Sequence, residues 1–369
     1  MTTFSLVPQR ARPSGRHYEA EQDVRKIAVL RSNAIGDFIF SLPALEALRH
    51  TYPQAQIVLL GLEWHANFLR GRPGPVDRVE VIPPVEGLRS LPGAQTDPAE
   101  AEGFLRRMQA ENFDLAIQLH GGGRHSNPFV KNLGAHISVG SRSPDAIPLD
   151  RWVPHTHYQM EILRQLEIVA LVGAHPVSLE PRLEVTPQDL EEADDLVSPS
   201  SSPLVVIHPG AIDPRRRWPV EKFAAVGDAL AAAGARIVVV GAGAEASLAT
   251  AVASSMSSGA TDVGGRTTLG GLAGLISRAD LVLSNDSGPL HIARAVGAPT
   301  VGIYLVGNVI PYGPISHSRH RLAVSWRLDC PVCGLNWMDN NCGHRESLVA
   351  DITVAEVLTP AFELLELQR

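Results

Sequence analysis

Residues 279–304 read ADLVLSNDSGPLHIARAVGAPTVGIY, and this stretch decides the fold. The apolar run Leu281-Val282-Leu283 predicts a buried strand that stops at Ser284-Asn285-Asp286. Ser287-Gly288-Pro289 then turns the chain into an apolar helix that reaches Gly297, and Pro299 opens a second strand, Thr300 to Tyr304. Strand, polar turn, helix and strand in such a short span form a βαβ unit, which requires a parallel sheet. Open α/β sheets bind their ligands at the carboxyl ends of strands, where this turn falls. The amides of Ser287, Gly288 and Leu290 have no helical partner at the helix start, and Pro289 has no amide to leave unpaired. The turn therefore suits an anion. Taken alone, the same residues also describe an ordinary capped helix.

The alternation extends in both directions. Upstream in the same half lie strands at Leu204–His208, Arg236–Gly241 and Thr261–Gly264, with a helix at Leu269–Ala279; downstream come a strand at Arg321–Trp326 and a helix from Thr353 to Leu367. The first half follows the same grammar, with strands at Lys26–Leu30, Ile57–Gly61, Arg78–Ile82, Leu115–Leu119 and Ile137–Gly140 and a closing helix from His157 to Val172. Pro43 and Pro360 fall inside helical patterns and predict a bend or a restart. Two such runs imply an α/β protein with two doubly wound domains. The expected boundaries are a flexible extension at 1–24, domains at 25–173 and 204–352, a linker at 174–203 and a C-terminal helix at 353–369.

A chain of 369 residues with 44% hydrophobic and 19% charged residues has the composition of a globular protein of two ordinary domains. Its net charge of −7 argues against nucleic acid as a partner. The N-terminal segment lacks the apolar core of a secretory signal, and the three cysteines are confined to residues 330–342, so a cytoplasmic location is expected.

Five further motifs carry chemistry. Asp37, in Ser32-Asn-Ala-Ile-Gly-Asp, falls where a strand gives way to a helix; its carboxylate is either a general base or a helix cap. His208-Pro-Gly-Ala-Ile-Asp-Pro-Arg-Arg-Arg-Trp-Pro219 places guanidinium groups beside a strand end, as a diphosphate site or as a solvated basic loop. Glu245 follows a Gly-x-Gly fragment that lacks the full dinucleotide fingerprint; it either meets a ribose or starts a helix. His291 lies one turn into the helix after Asp286 and is either a ligand contact or a structural hydrogen-bonder. Cys330, Cys333, Cys342 and His344, spaced C-x2-C-x8-C-x-H with Asn340-Asn341 as turn formers, are either a tetrahedral zinc or iron site or a loop of reduced thiols.

Assembled, these segments resemble the heptosyltransferase family of glycosyltransferases, family nine, over about 25–358. The resemblance rests on Arg31-x5-Asp37, on Pro209-Gly210 with Arg216-Arg217-Trp218-Pro219, and on Asn285-Asp286-Ser287-Gly288-Pro289-Leu290-His291. It implies a GT-B architecture: two facing Rossmann-like domains, an interdomain cleft and a C-terminal helix that packs back on the first domain. It also implies inverting transfer of heptose from ADP-heptose to a lipopolysaccharide-type or other envelope glycan, with no cofactor required for catalysis. By the same resemblance Asp37 is the base, and Gly210, Ala211, Arg216, Arg217, Glu245, Asp286, Ser287, Gly288, Pro289 and His291 hold the donor. Ala211 and Ile212 stand where some relatives carry hydroxyls. The acceptor is expected near His120, Arg124 and Lys131. The implied partners are a nucleotide-diphosphate sugar and a glycan or lipid-linked acceptor, with peripheral association at the inner membrane surface. Metal at the cysteines would be structural. Transfer of another nucleotide-sugar to a small metabolite, or a non-catalytic binding or scaffold role, are the competing readings.

Overall fold

The computed structural model describes residues 18–88, 97–338 and 342–366. The first half builds a six-stranded, wholly parallel sheet from β1 (Lys26–Leu30), β2 (Gln56–Gly61), β3 (Arg78–Val81), β4 (Leu115–Gln118), β5 (Ile137–Arg142) and β6 (Arg151–Pro154), in the order β3-β2-β1-β4-β5-β6. Its helices are α1 (Ile35–Thr51), α2 (Glu63–Leu69), α3 (Pro98–Ala110), α4 (Ser126–Lys131) and α5 (Glu161–Ala170); α6 (Pro187–Leu196) follows. The second half repeats the plan with β7 (Leu204–His208), β8 (Arg236–Val239), β9 (Thr261–Asp262), β10 (Leu281–Asn285), β11 (Thr300–Leu305) and β12 (His320–Ser325), in the order β12-β11-β10-β7-β8-β9. Its helices are α7 (Val220–Ala232), α8 (Ala246–Ser255), α9 (Leu269–Ser277), α10 (Gly288–Ala295), α11 (Val306–Tyr312) and α12 (Val354–Leu365). The strand order is the same in both sheets and reverses direction beside the first strand, where such folds open a ligand crevice.

The central strands β1, β7 and β10 are buried along almost their whole length because helices cover both sheet faces. One continuous apolar cluster runs from Ile27 and Ile57 through Phe38 and Leu42 of α1 to Val206, Val282 and Ile292 of the second half. Helix α1 is apolar nearly all round, as suits a helix enclosed between two layers. It passes through Pro43 without interruption, as α12 passes through Pro360.

Three expectations change. Residues 1–17 of the predicted extension lie outside the described residues, but 18–24 are fastened to the first domain: the Glu21 amide donates to Tyr52 Oη at 3.1 Å and the Glu21 carboxylate pairs with Arg151 at 2.7 Å. The stretch 174–203 contains α6, which packs on α9 so closely that a β-carbon on Gly274 would stand 2.0 Å from the Asp189 carbonyl. Asp189 also binds Arg72 of the first half at 2.5 and 3.1 Å. Helix α12 does not return to the first sheet. Its apolar face, Val357, Ala361 and Phe362, is buried in the second domain against α7 and the strands β10 to β12.

Candidate active site

The carboxyl ends of β7, β8 and β10 border a cavity of about 410 Å³, and the start of α1 closes its other side. Neighbouring residues at the end of β10 divide the work there. Asn285 is fully enclosed: its Oδ1 accepts from the Trp218 amide at 3.0 Å, and its Nδ2 donates to the Pro209 carbonyl at 2.7 Å. This clamps the turn after β7 to the end of β10. Asp286 instead accepts from Arg216 at 3.2 Å and Asn308 at 2.6 Å, and lies 3.2 Å from His291 Nε2. Burial pushes the Asp286 carboxyl up, but His291, Arg216 and Asn308 outweigh it and hold the group below the usual carboxylate range. Burial also lowers His291, so the imidazole is neutral and donates from Nε2; its Nδ1 is buried with no hydrogen-bond partner among the described residues.

A second chain of contacts runs along the same rim. Ser287 Oγ lies 3.1 Å from His208 Nδ1, and His208 Nε2 lies 3.2 Å from Glu245. Glu245 is held below its ordinary pKa by His208, Arg217 and Arg216 against the opposing effect of burial. The cavity wall beyond it is apolar: Val240, Ala242, Leu269 and Leu272 form a slot beside β8 and α9.

The first domain contributes Asp37. It stands in the first turn of α1, whose N-cap is Ala34 with no side-chain cap, so Asp37 is not the cap. Its carboxylate lies 3.2 Å from Arg31, which is almost wholly buried and also reaches the Asp37 carbonyl at 3.0 Å. Arg31 is shared with Glu161 at 3.1 Å, donates to the Leu119 carbonyl, and Glu161 is paired in turn with Arg164. Two cations and two carboxylates thus balance beneath the cavity. Helices α1 and α10 meet start to start. A β-carbon on Gly36 would fall 2.8 Å from His291 Cδ2, and one on Gly288 would fall 2.3 Å from Ile35 Cγ2. Glycine at both places lets a carboxylate of one domain face the anion-binding helix start of the other.

The sequence profile of glycosyltransferase family 9 (heptosyltransferase) matches residues 103–330, more than half of the chain. The chain belongs to glycosyltransferase family 9. It is 25% identical over 361 residues to lipopolysaccharide heptosyltransferase 2 of Salmonella typhimurium, covering 92% of this chain and 98% of that one. Two solved structures share its fold: the family 9 glycosyl transferase from Veillonella parvula, with a TM-score of 0.76 at 21% identity over 94% of this chain and 99% of that one, and the ADP-heptose lipopolysaccharide heptosyltransferase II of E. coli, with 0.72 at 22% over 92% and 98%. The architecture is GT-B.

In this family 9 glycosyltransferase the cavity wall gathers Asp37, Arg216, Glu245, Asp286, Ser287, Gly288, Pro289 and His291, but not three other residues expected there. Arg217 turns back to donate to the Ala211 carbonyl at 2.8 Å, and Ala211 is buried, so the pair braces the turn. Gly210 lies beneath Glu245, where a β-carbon would come 2.4 Å from Glu245 Cδ. Ile212, 81% exposed, lines the cavity instead.

On the first domain His120 is not among the residues that line the cavity: its Nδ1 is 3.1 Å from Ser32 Oγ, and burial together with Arg31 pushes its pKa down to about 4. Arg124 is exposed, 3.7 Å from Asp145. Lys131 is placed differently from expectation. It ends α4 and acts on Asp150, which binds Ser138 at the amino end of β5, so it belongs to the sheet edge opposite the cavity. Arg31, Glu161, Asn308 and Gly36 had no assigned role in the sequence reading; only Arg31 and Gly36, beside Asp37 in the chain, carried a local signal.

The four atoms that Cys330, Cys333, Cys342 and His344 could offer a metal lie within 4.8 Å of one another. Asn340-Asn341, read as turn formers, lie outside the described residues. Among the described residues no helix is long and apolar enough to cross a membrane.

Proposed function

We propose that this chain transfers heptose from ADP-heptose, with inversion, to a hydroxyl of a lipopolysaccharide-type or other envelope glycan. One observation carries the reading: the Asp37 carboxylate and the Arg216–Asp286–His291 cluster face one cavity from opposite domains. The donor and acceptor classes are those of its relatives, a lipopolysaccharide heptosyltransferase and an ADP-heptose lipopolysaccharide heptosyltransferase.

In this reading adenine takes the apolar slot, Glu245 the ribose hydroxyls, and Asp286 the donor sugar. The diphosphate meets Arg216 and the amides that open α10. Asp37 accepts the proton of the acceptor hydroxyl as its oxygen bonds to the anomeric carbon. The bond from that carbon to the diphosphate breaks on the opposite face, and the electron pair leaves on ADP. Negative charge grows on the diphosphate in this step, so Arg216 and the helix amides act most strongly in the transition state. These groups meet the need for positive charge, so catalysis requires no cofactor. Arg31, balanced between Asp37 and Glu161, fixes the base in position. The acceptor lies against His120 and Arg124, and the enzyme works in the cytoplasm with peripheral association at the inner membrane surface. The cysteine–histidine cluster is a structural zinc or iron site.

The test is to incubate the protein with ADP-heptose, GDP-sugars or UDP-sugars and a truncated lipopolysaccharide acceptor, following nucleotide release and product mass. Acceptor-dependent ADP release with ADP-heptose alone supports the reading. Faster transfer from another nucleotide-sugar, or no transfer from any, sinks it.

A further inference from the structure

We propose that Cys330, Cys333, Cys342 and His344 bind one zinc ion, and that this ion fastens the Arg215–Arg217 turn beside the cavity. The site is built as a ligand cage, beyond mere proximity of four side chains. Cys330-Pro331-Val332-Cys333-Gly334-Leu335 folds into a tight knuckle: the Gly334 amide donates to the Cys330 carbonyl at 2.9 Å, the Cys330 amide to the Leu335 carbonyl at 2.9 Å, and Asp329 bridges Asn336. Gly334 takes φ of +72°, a conformation that glycine adopts without strain. The fold of the knuckle aims the amides of Val332 and Cys333 at the Cys330 sulfur, and that of Leu335 at the Cys333 sulfur. Cys342 and His344 arrive from the far side of the loop, and His344 Nδ1 is buried without a hydrogen-bond partner among the described residues. A buried, unpartnered imidazole nitrogen beside three sulfurs has a ready explanation as a metal ligand. Three thiolates and one imidazole in a closed tetrahedron are the ligand set of structural zinc.

The module held by this ion touches the cavity machinery directly. Ser347 Oγ donates to the Arg217 carbonyl at 2.6 Å, and the Leu348 amide donates to the Arg215 carbonyl at 2.8 Å. Ser325 Oγ, at the end of β12, donates to the Leu348 carbonyl at 2.7 Å. Trp337 packs over Gly307 in α11, next to the Asn308 that binds Asp286. Zinc with three thiolates leaves one net negative charge, and Cys330 and Cys342 lie within the field of Arg215. The ion therefore closes a loop that contacts the chain neighbours of Arg216 and Asn308, the partners of Asp286. The part of this proposal that concerns donor affinity rests on the reading of the cavity as an ADP site; the metal itself does not.

Elemental analysis of the full chain is expected to give one zinc per chain, lost in Cys342→Ser and in His344→Ala. Where those variants fail to fold, chelator-stripped wild type reloaded with cobalt(II) is expected to show thiolate charge-transfer and tetrahedral d–d absorption. Zinc removal is expected to raise amide exchange across 213–218 and 347–349 and to weaken ADP binding ~10-fold, whereas Asp37→Ala keeps both zinc and ADP affinity. A metal-free chain or a Cys330–Cys333 disulfide overturns the site, and iron in place of zinc overturns the choice of metal. Zinc that leaves with no change in exchange at 213–218 overturns its fastening role. Zinc and exchange results as expected, with no transfer from ADP-heptose, count against the heptosyl reading alone.

Discussion

His291 lies against Gly36 with no room for a side chain between them: a β-carbon on Gly36 would sit 2.8 Å from the imidazole Cδ2. The imidazole cannot retreat, since Phe40 packs on it with ring centroids 4.5 Å apart and Asp286 holds its Nε2. Overpacking such a contact costs about 1–3 kcal/mol. Gly36→Ala is therefore expected to lower the thermal midpoint and to depress kcat/KM more than its stability loss explains, because the contact sets the distance between the two halves of the site. Thermal melts with parallel kinetics check this; a variant indistinguishable from wild type in both would mean the interface yields freely.

Asp37→Asn keeps the size of the side chain and removes its basicity. The expected result is a fall in kcat of ~10²–10⁴ with donor affinity nearly unchanged. Isothermal titration with ADP, set beside rates of acceptor-dependent ADP release, separates the two effects. A large loss of ADP affinity with residual turnover intact would move Asp37 out of the role of base.

In the proposed reaction Arg216 serves the diphosphate, and it also partners the buried Asp286 carboxylate. Arg216→Ala is expected to cost ~10²–10³ in kcat/KM, and Arg216→Lys to recover part of it, since a lysine restores the charge without the planar fork. Equal activity of the alanine and lysine variants would show that charge at this position is unimportant.

Several histidines couple stability to pH. Burial, with the neighbouring Arg31, pushes His65 down to about 3 and His120 to about 4; burial first and then nearby cations lower His155 and His320 to about 4. The unfolded chain protonates these groups near 6.5, before the folded protein does, so the fold loses stability as pH falls from 6.5 towards 4, and on towards 3 for His65. Above 6.5 they contribute no pH dependence. His65 Nδ1 accepts from the Leu62 amide at 3.0 Å, a bond that asparagine can reproduce. His65→Asn is expected to narrow the drop in thermal midpoint between pH 7 and pH 5; an unchanged drop removes His65 from the account.

What the sequence disclosed follows from the reach of each signal. The central strands β1, β7 and β10 were readable because burial on both faces demands unbroken apolar runs, and the start of α10 because Gly288 and Pro289 punctuate it. Edge strand β6 alternates between half-buried and exposed residues and ends in Pro154, so it had no apolar run to betray it. Asp37 and Asp286 were visible as carboxylates at strand ends, but Glu161, which shares Arg31 with Asp37, and Asn308, which binds Asp286, come from other elements far along the chain. The position of α12 was missed because an amphipathic helix records that it has a buried face, not which sheet receives it.

The division between Asn285 and Asp286 has an evolutionary and practical consequence. Asn285 holds the scaffold together and does not line the cavity, while Asp286 beside it, itself buried, lines the same cavity as Ile212. On the proposed donor site, donor choice is thereby separated from the scaffold clamp at the level of single adjacent residues. On that reading, a lineage or a library can retarget the donor site by varying Ile212 while Asn285 stays fixed.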